Sequence, residues 1–244
     1  MRERLPSVMY DILQQILYFF GRGFCHQYAD RSFEAGGLVF CVCARDTGIY
    51  LGLMATLAIL IILYAHLREK PAAMPPVWAI ITGVLLIVPM AVDGVGSYLG
   101  LHETNNLLRY ITGYLCGTGL AVIVSGGLFG LWPRANHSVS AVAKPPQLSI
   151  VLAASALVGA VFYGAYPLMG ALAPFFALAS MWAAVMFVVV LLVSTTRFWP
   201  RQQDAVVRRI AVLFVCFLLA GIAMTFFSLI ASAVYFVLPW YIHP

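Results

Sequence analysis

Six long apolar runs, at residues 47–67, 76–92, 107–132, 148–169, 172–193 and 210–238, constrain this chain more than any other feature. Most approach or exceed the roughly 20 apolar residues that a helix needs to cross the hydrocarbon core, whereas barrel strands would be about half as long and would alternate. The expected fold class is therefore all-α: a polytopic transmembrane helix bundle with about six crossings, plus an N-terminal amphipathic or short membrane helix. Composition removes the alternative of a water-soluble domain. Of 244 residues, 63% are hydrophobic and 9% charged, against about 25% charged in soluble domains, so the chain lacks a polar surface to present to water.

Ahead of the runs, Val8, Met9, Ile12, Ile16, Leu17 and Phe20 recur at helical spacing, with Asp11, Gln14 and Gln15 largely opposite. That pattern predicts an amphipathic helix within residues 1–24, lying in the interface or crossing as a short segment. No small-residue cleavage site follows it, so the segment reads as retained. Residues 25–43 are too short and too glycine-interrupted to cross; Gly36-Gly37 marks a turn, and a loop or re-entrant hairpin is expected. A polar linker, residues 134–147, divides a three-crossing core at 25–133 from a three-helix extension at 148–244.

The loops at 66–75, 132–147 and 196–209 carry Arg68, Lys70, Arg134, Lys144, Arg197, Arg201, Arg208 and Arg209 against Glu69 and Asp204 alone. By the positive-inside rule these loops, the linker included, belong in the cytoplasm. The stretch 25–46 and the loop 93–109 then face outward together, from what reads as a bacterial cytoplasmic (inner) membrane. The net charge of +5 is spread over short loops rather than gathered on one soluble face, which argues for the lipid bilayer as partner and against nucleic acid.

The two outward segments hold the candidate chemistry. Cys25, His26, Cys43 and Asp46 offer sulfur, imidazole and carboxylate ligands, a set compatible with zinc or another divalent metal. Cys43 and Asp46 are three apart and share a face if a helix begins there. A disulfide from Cys25 to Cys41 or Cys43 competes with that reading on an oxidising face, as do free thiols that simply pack. Cys116 and Cys216 lie inside apolar runs and read as packing. Arg31, Arg45 and Arg109, with Asn105 and Thr112 nearby, form a candidate anion-binding set for phosphate or carboxylate. Their plainer role is to neutralise Asp46 and Asp93 at the membrane boundary. The spaced pairs Gly48 with Gly52 and Gly113 with Gly117 read as sites of close helix approach.

Taken together these residues resemble the DUF2085 family of bacterial and archaeal predicted membrane proteins. The resemblance rests on Cys25-His26, Arg31-Ser32, the run Cys43-Ala44-Arg45-Asp46-Thr47-Gly48-Ile49-Tyr50, then Asp93-Gly94, Asn105 and Arg109-Tyr110-Ile111-Thr112-Gly113. It covers about residues 25–117. Asp46 stands where many members carry a second cysteine and His102 where arginine is expected, so a strict four-thiol site is not implied. The resemblance implies a membrane fold and locates a site; it brings no established activity with it.

Three functions follow as expectations. The first is an enzyme acting on a lipid or lipid-linked anionic group, with His26, Asp46 and Asp93 as catalytic acid-base or metal-binding groups. The second is a scaffold whose disulfide and glycine pairs support assembly with another membrane protein. The third is a carrier for a metal or small anion, weakened by the near absence of ionisable residues within the last three runs.

Overall fold

The computed structural model of the protein describes residues 7–132, 134–196 and 206–237. Its helices are α1 (Ser7–Gly21), α2 (Ala44–Tyr64), α3 (Val77–Tyr98), α4 (Asn106–Gly130), α5 (Pro145–Met169), α6 (Leu172–Ser194) and α7 (Val206–Val237). Among the described residues there are also a 3-10 turn at Ala29–Arg31 and four two-residue strands: β1 (Glu34–Ala35), β2 (Leu38–Val39), β3 (Lys70–Pro71) and β4 (Ala135–Asn136). Helices α2 to α7 each contain a stretch long and apolar enough to cross a membrane, and the chain is an all-α polytopic bundle as expected. The expectations for residues 1–6, Arg197, Arg201, Asp204 and Leu238 lie outside the described residues.

α4 is the most enclosed of the spanning helices and α7 the least. α4 packs along both α2 and α3, and α5 and α6 lie against α2. In lipid, helices gain little from hydrophobic burial against one another, so close van der Waals approach has to hold them together. The glycine pairs supply it reciprocally. A Cβ at Gly113 of α4 would stand 2.0 Å from the Arg45 carbonyl oxygen of α2, and one at Gly52 of α2 would stand 2.3 Å from the Tyr114 carbonyl of α4. Deeper in the bundle a buried hydroxyl cluster joins three helices. Thr56 Oγ1 lies 2.8 Å from Ser155 Oγ, Thr118 Oγ1 lies 3.1 Å from the same atom, and Tyr114 donates to the Ser155 carbonyl at 2.7 Å.

α3 runs past the boundary that its sequence suggests. Asp93 was expected to open a loop after a crossing that ends near Val92, but the helix continues to Tyr98 and Asp93 is buried within it. A carboxylate is tolerated there because it is paired, as described below. The chain then turns at Gly100, whose φ of +68° suits a residue without Cβ, and re-enters the membrane at Asn105, the N-cap of α4.

α1 is short, about 22 Å of helix, and lies against the β1–β2 hairpin, α6 and α7. The Gly36-Gly37 turn is formed as expected, with φ of +61° and +81° at the two glycines. Amphipathicity differs from the simple two-faced pattern. Gln14, expected on the polar side, turns inward and clasps β2: its Nε2 donates to the Val39 carbonyl at 3.2 Å, and the Val39 N–H donates to its Oε1 at 2.8 Å. Leu17 is buried with Leu38, Cys41, Met181 and Met224, while Val8, Met9, Ile12 and Ile16 remain exposed for lipid. At its C-terminal end, Ser228 of α7 donates to the Phe19 carbonyl and Arg22 donates to Ser232 at 3.1 Å.

At the other end of the bundle the segment 134–147 is pinned to the loop after α2. β3 and β4 pair in parallel, Lys70 opposite Ala135 and Pro71 opposite Asn136, and Ala72 bridges to Ser140. Lys70, read from sequence as a topology charge, is buried beneath α2. Its Nζ donates to the carbonyls of Tyr64 at 2.9 Å, Ala65 at 2.8 Å and Leu67 at 2.6 Å. The ammonium thus satisfies carbonyls that a helix C-terminus leaves unpaired and complements its partial negative charge. Lys70→Met is expected to cost about 2–4 kcal/mol, a fall of roughly 4–16 °C in the thermal midpoint of detergent-purified protein. An unchanged midpoint would show that water serves those carbonyls equally well.

Candidate metal and anion site

The site forms where α2 begins. Cys43 is the N-cap of α2 and Asp46 lies in its first turn, where a carboxylate is favoured by the helix dipole. The one-turn spacing brings them together: Cys43 Sγ lies 3.3 Å from Asp46 Oδ2. Cys25 arrives from the turn after α1. Phe24 and Cys25 N–H groups both donate to the Gly21 carbonyl, and Gly21 is tight because an added Cβ would stand 1.7 Å from the Cys41 carbonyl oxygen. Gln27, at φ +56°, locks this turn by donating to the carbonyls of Tyr18 at 2.9 Å and Cys41 at 2.8 Å. The Cys43 N–H then donates to Cys25 Sγ at 3.2 Å.

One ligand atom from each of Cys25, Cys43 and Asp46 lies within 4.8 Å of the other two. Bonds of about 2.3 Å from zinc to sulfur and about 2.0–2.2 Å to oxygen separate ligands by roughly 3.5–3.8 Å, so small side-chain rotations would close the trio on an ion. All five cysteines are free thiols, and neither disulfide expected as an alternative is formed. Burial pushes the Cys41 thiol up to about 12 and leaves it inert. The contact with Cys25, followed by burial, holds the Cys43 thiol well above its ordinary range, so capture of a cation there must displace a proton.

A cavity of about 220 Å³ opens beside the trio, and Arg31, Arg45, Arg109 and His26 line it with them. His26 is exposed at the rim, its ring stacked on Tyr28 with centroids 6.0 Å apart, and stands outside the close trio of ligands. Arg31 lies over the same Tyr28 ring at 5.1 Å. Arg109 donates to Asn106 Oδ1 at 3.1 Å, and Asn106 reaches back to the Asp30 and Ser32 carbonyls at 3.2 and 3.3 Å, tying the outer loop to α4.

Asp93, Asn105 and Thr112 stand behind this lining rather than in it. Asp93 accepts a short charged hydrogen bond from Arg45 Nη2, a bond from the Thr112 hydroxyl at 3.4 Å, and faces His102 Nε2 at 3.3 Å. Arg45 Nε, by contrast, is buried with no hydrogen-bond partner among the described residues. Asn105 accepts the Leu108 N–H at 2.8 Å as the helix cap, and Thr112 also donates to the Leu108 carbonyl at 2.9 Å. Sequence reasoning missed Gln27 and Asn106, which shape the cavity without carrying charge. Asn106 had a visible signal in its position one turn before Arg109; Gln27 had none, because its partners are backbone carbonyls.

Residues 25–123 match the family model for DUF2085, described as a predicted membrane protein. An uncharacterised protein of the archaeon Methanothermobacter thermautotrophicus is 39% identical over 102 residues, covering 42% of this chain and 85% of that protein. Another uncharacterised protein, from Methanocaldococcus jannaschii, is 38% identical over 94 residues, 38% of this chain and 56% of that protein. No solved structure matches. The matched segment holds the three candidate ligands, His26, the three arginines and the Asp93 that grips Arg45, and with a relative 39% identical and matched over 85% of its length the chain belongs to the DUF2085 family of predicted membrane proteins.

Proposed function

We propose that this integral membrane protein is a metal-dependent enzyme acting on a lipid or lipid-linked anionic group, at a site facing outward from a cytoplasmic membrane. The observation that carries the reading is the meeting of Cys25, Cys43 and Asp46 with three guanidinium groups in one cavity, where Arg45 Nε lacks a partner. Salt bridging alone would leave the thiols without a purpose, and thiol packing alone would leave the arginines without one. The outward orientation draws support from Arg68, Arg134 and Lys144 at the opposite end of the bundle.

Cys25, Cys43 and Asp46 would hold the metal, with zinc suited to two thiolates and a carboxylate. When bound, such a metal would supply Lewis-acid polarisation to a group held in the cavity. Arg31, Arg45 and Arg109 bind the oxygens of a phosphate or carboxylate, and Asp93 orients Arg45 for that contact. His26, at the rim, has the exposure to exchange protons with water and moves one to or from the substrate. A scaffold stapled by a disulfide is the weaker reading, since it gives the three guanidinium groups around the cavity no role.

Metal analysis of detergent-purified protein tests this directly. Wild type is expected to carry about one zinc per chain, and Cys25→Ser, Cys43→Ser and Asp46→Asn are each expected to lose stoichiometric metal. Because thiols must ionise on binding, affinity should fall as pH falls. In a panel of phosphate-bearing lipids, headgroup conversion should appear with wild type and vanish with Cys43→Ser. Equal, substoichiometric metal in all four proteins would overturn the metal reading, and metal without conversion of any lipid would overturn the enzyme reading.

A further inference from the structure

On the membrane-facing side of the same region, a groove of about 540 Å³ lies between α1, α6 and α7. Its walls are Phe20, Trp182, Phe217 and Leu229, and its floor is formed by Gly221 and Thr225. The floor is low because Gly221 packs directly on the Trp182 ring, where an added Cβ would come to 3.0 Å. Phe217 stacks on Trp182 with centroids 5.4 Å apart, and Phe20 packs on the same Trp182 ring at 5.5 Å. Phe217 and Leu229 are twelve residues apart on α7, about 18 Å of helix, close to one leaflet of a hydrocarbon core about 30 Å thick.

One aromatic contact links the groove's surroundings to the polar cavity. Phe24 lines that cavity, and its ring packs on Phe227 with centroids 5.9 Å apart. Phe226, beside Phe227, and Phe20, one turn before Phe24, both line the groove. The bonds from Arg22 to Ser232 and from Ser228 to the Phe19 carbonyl fix this edge of α1 against α7. A cationic cavity and an apolar trough one leaflet long are therefore neighbours, joined through the Phe24–Phe227 contact.

We infer that the trough is the acyl-chain site for the same lipid whose anionic headgroup enters the arginine-lined cavity. This rests on the anion-binding reading above and deepens it, because it gives the acyl chain of that lipid its own place beside α7. Lipid tails are as apolar as the groove, so the groove itself offers no hydrophobic preference. The chain is held there by its headgroup, and occupancy must depend on the arginines.

The test uses full-length protein in phosphatidylcholine nanodiscs with a trace of photoreactive lipid, either phosphatidic acid or phosphatidylcholine, carrying a diazirine in the acyl chain. The phosphatidic acid probe is expected to label residues 217–229 about tenfold more than the phosphatidylcholine probe, a ratio typical of one charged hydrogen-bonded contact. Arg109→Ala should reduce that labelling to the phosphatidylcholine level. Ile222→Trp fills the groove from an exposed position; it should remove the labelling while leaving calorimetric binding of glycerol 3-phosphate unchanged. Glycerol 3-phosphate binding combined with equal labelling by both probes, or with labelling that survives Arg109→Ala, means bulk lipid only and overturns this inference alone. Absence of both glycerol 3-phosphate binding and preferential labelling overturns the anion reading and this inference with it.

Discussion

Gly117→Val is expected to abolish the folded protein rather than weaken it. A Cβ at Gly117 would stand 2.1 Å from the Ile49 carbonyl oxygen and 2.6 Å from the Leu53 nitrogen, both backbone atoms of α2. No rotamer relieves a contact with backbone, so α2 and α4 must separate along their common seam. Separation also breaks the Thr118 contacts to Thr56 and Ser155 and draws Arg45 away from Asp93. The combined loss exceeds about 4 kcal/mol, a large part of the stability of an ordinary domain. Fluorescence-detected size-exclusion chromatography should show aggregate in place of a monodisperse peak. Gly94→Ala is the matched control: its Cβ would meet Arg45 Nη1 at 3.7 Å, an ordinary contact, and the protein should remain intact. A monodisperse Gly117→Val protein with a wild-type thermal midpoint would refute the close packing of α2 on α4.

Asp93→Asn is expected to strike both stability and binding. Asp93 is buried, and its partner Arg45 is nearly so. Removing one charge from a buried, hydrogen-bonded pair typically costs about 3–5 kcal/mol, because the other charge stays behind unpaired. Arg45 would then leave its present direction, and affinity for glycerol 3-phosphate should fall by about tenfold or more. Metal content should not change, since Asp93 lies outside the proposed ligand trio of Cys25, Cys43 and Asp46. That split distinguishes a residue that positions Arg45 from one that holds the metal. The double variant Asp93→Asn with Arg45→Met should recover much of the stability without recovering anion binding. Parallel loss of metal and anion in Asp93→Asn would instead mean that the whole site collapses.

The membrane spans were legible because lipid imposes a length and a polarity on each helix that no local packing can override. The spacing of Cys43 and Asp46 was legible for a similar reason, since one helical turn fixes their separation once a helix starts at Ala44. The errors fall where a polar residue finds its partner far along the chain. Asp93 reads as the start of a loop until Arg45, 48 residues earlier, is seen to neutralise it. Lys70 reads as an exposed signal until the carbonyls of α2 are seen to surround it. Gln14 follows the same pattern with Val39, 25 residues later. His26 shows the opposite limit: it adjoins Cys25 in sequence, but the turn fixed by Gln27 sends it to the rim.

The bonds from α7 to the end of α1 also set an order in biogenesis. Ser228 and Phe19 are separated by 209 residues, and at about 5–20 residues per second a ribosome needs roughly 10–40 s to make that span. During this interval the turn that carries Cys25 is held by Gln27, by the hairpin, by the start of α2 and, once it is made, by α6. The Phe19 carbonyl gains its Ser228 partner, and Arg22 its Ser232 partner, only when the last described helix takes its place beside α1. A nascent chain arrested before α7 would therefore contain every residue that lines the polar cavity, yet leave the end of α1 without the helix that closes its lipid-facing edge.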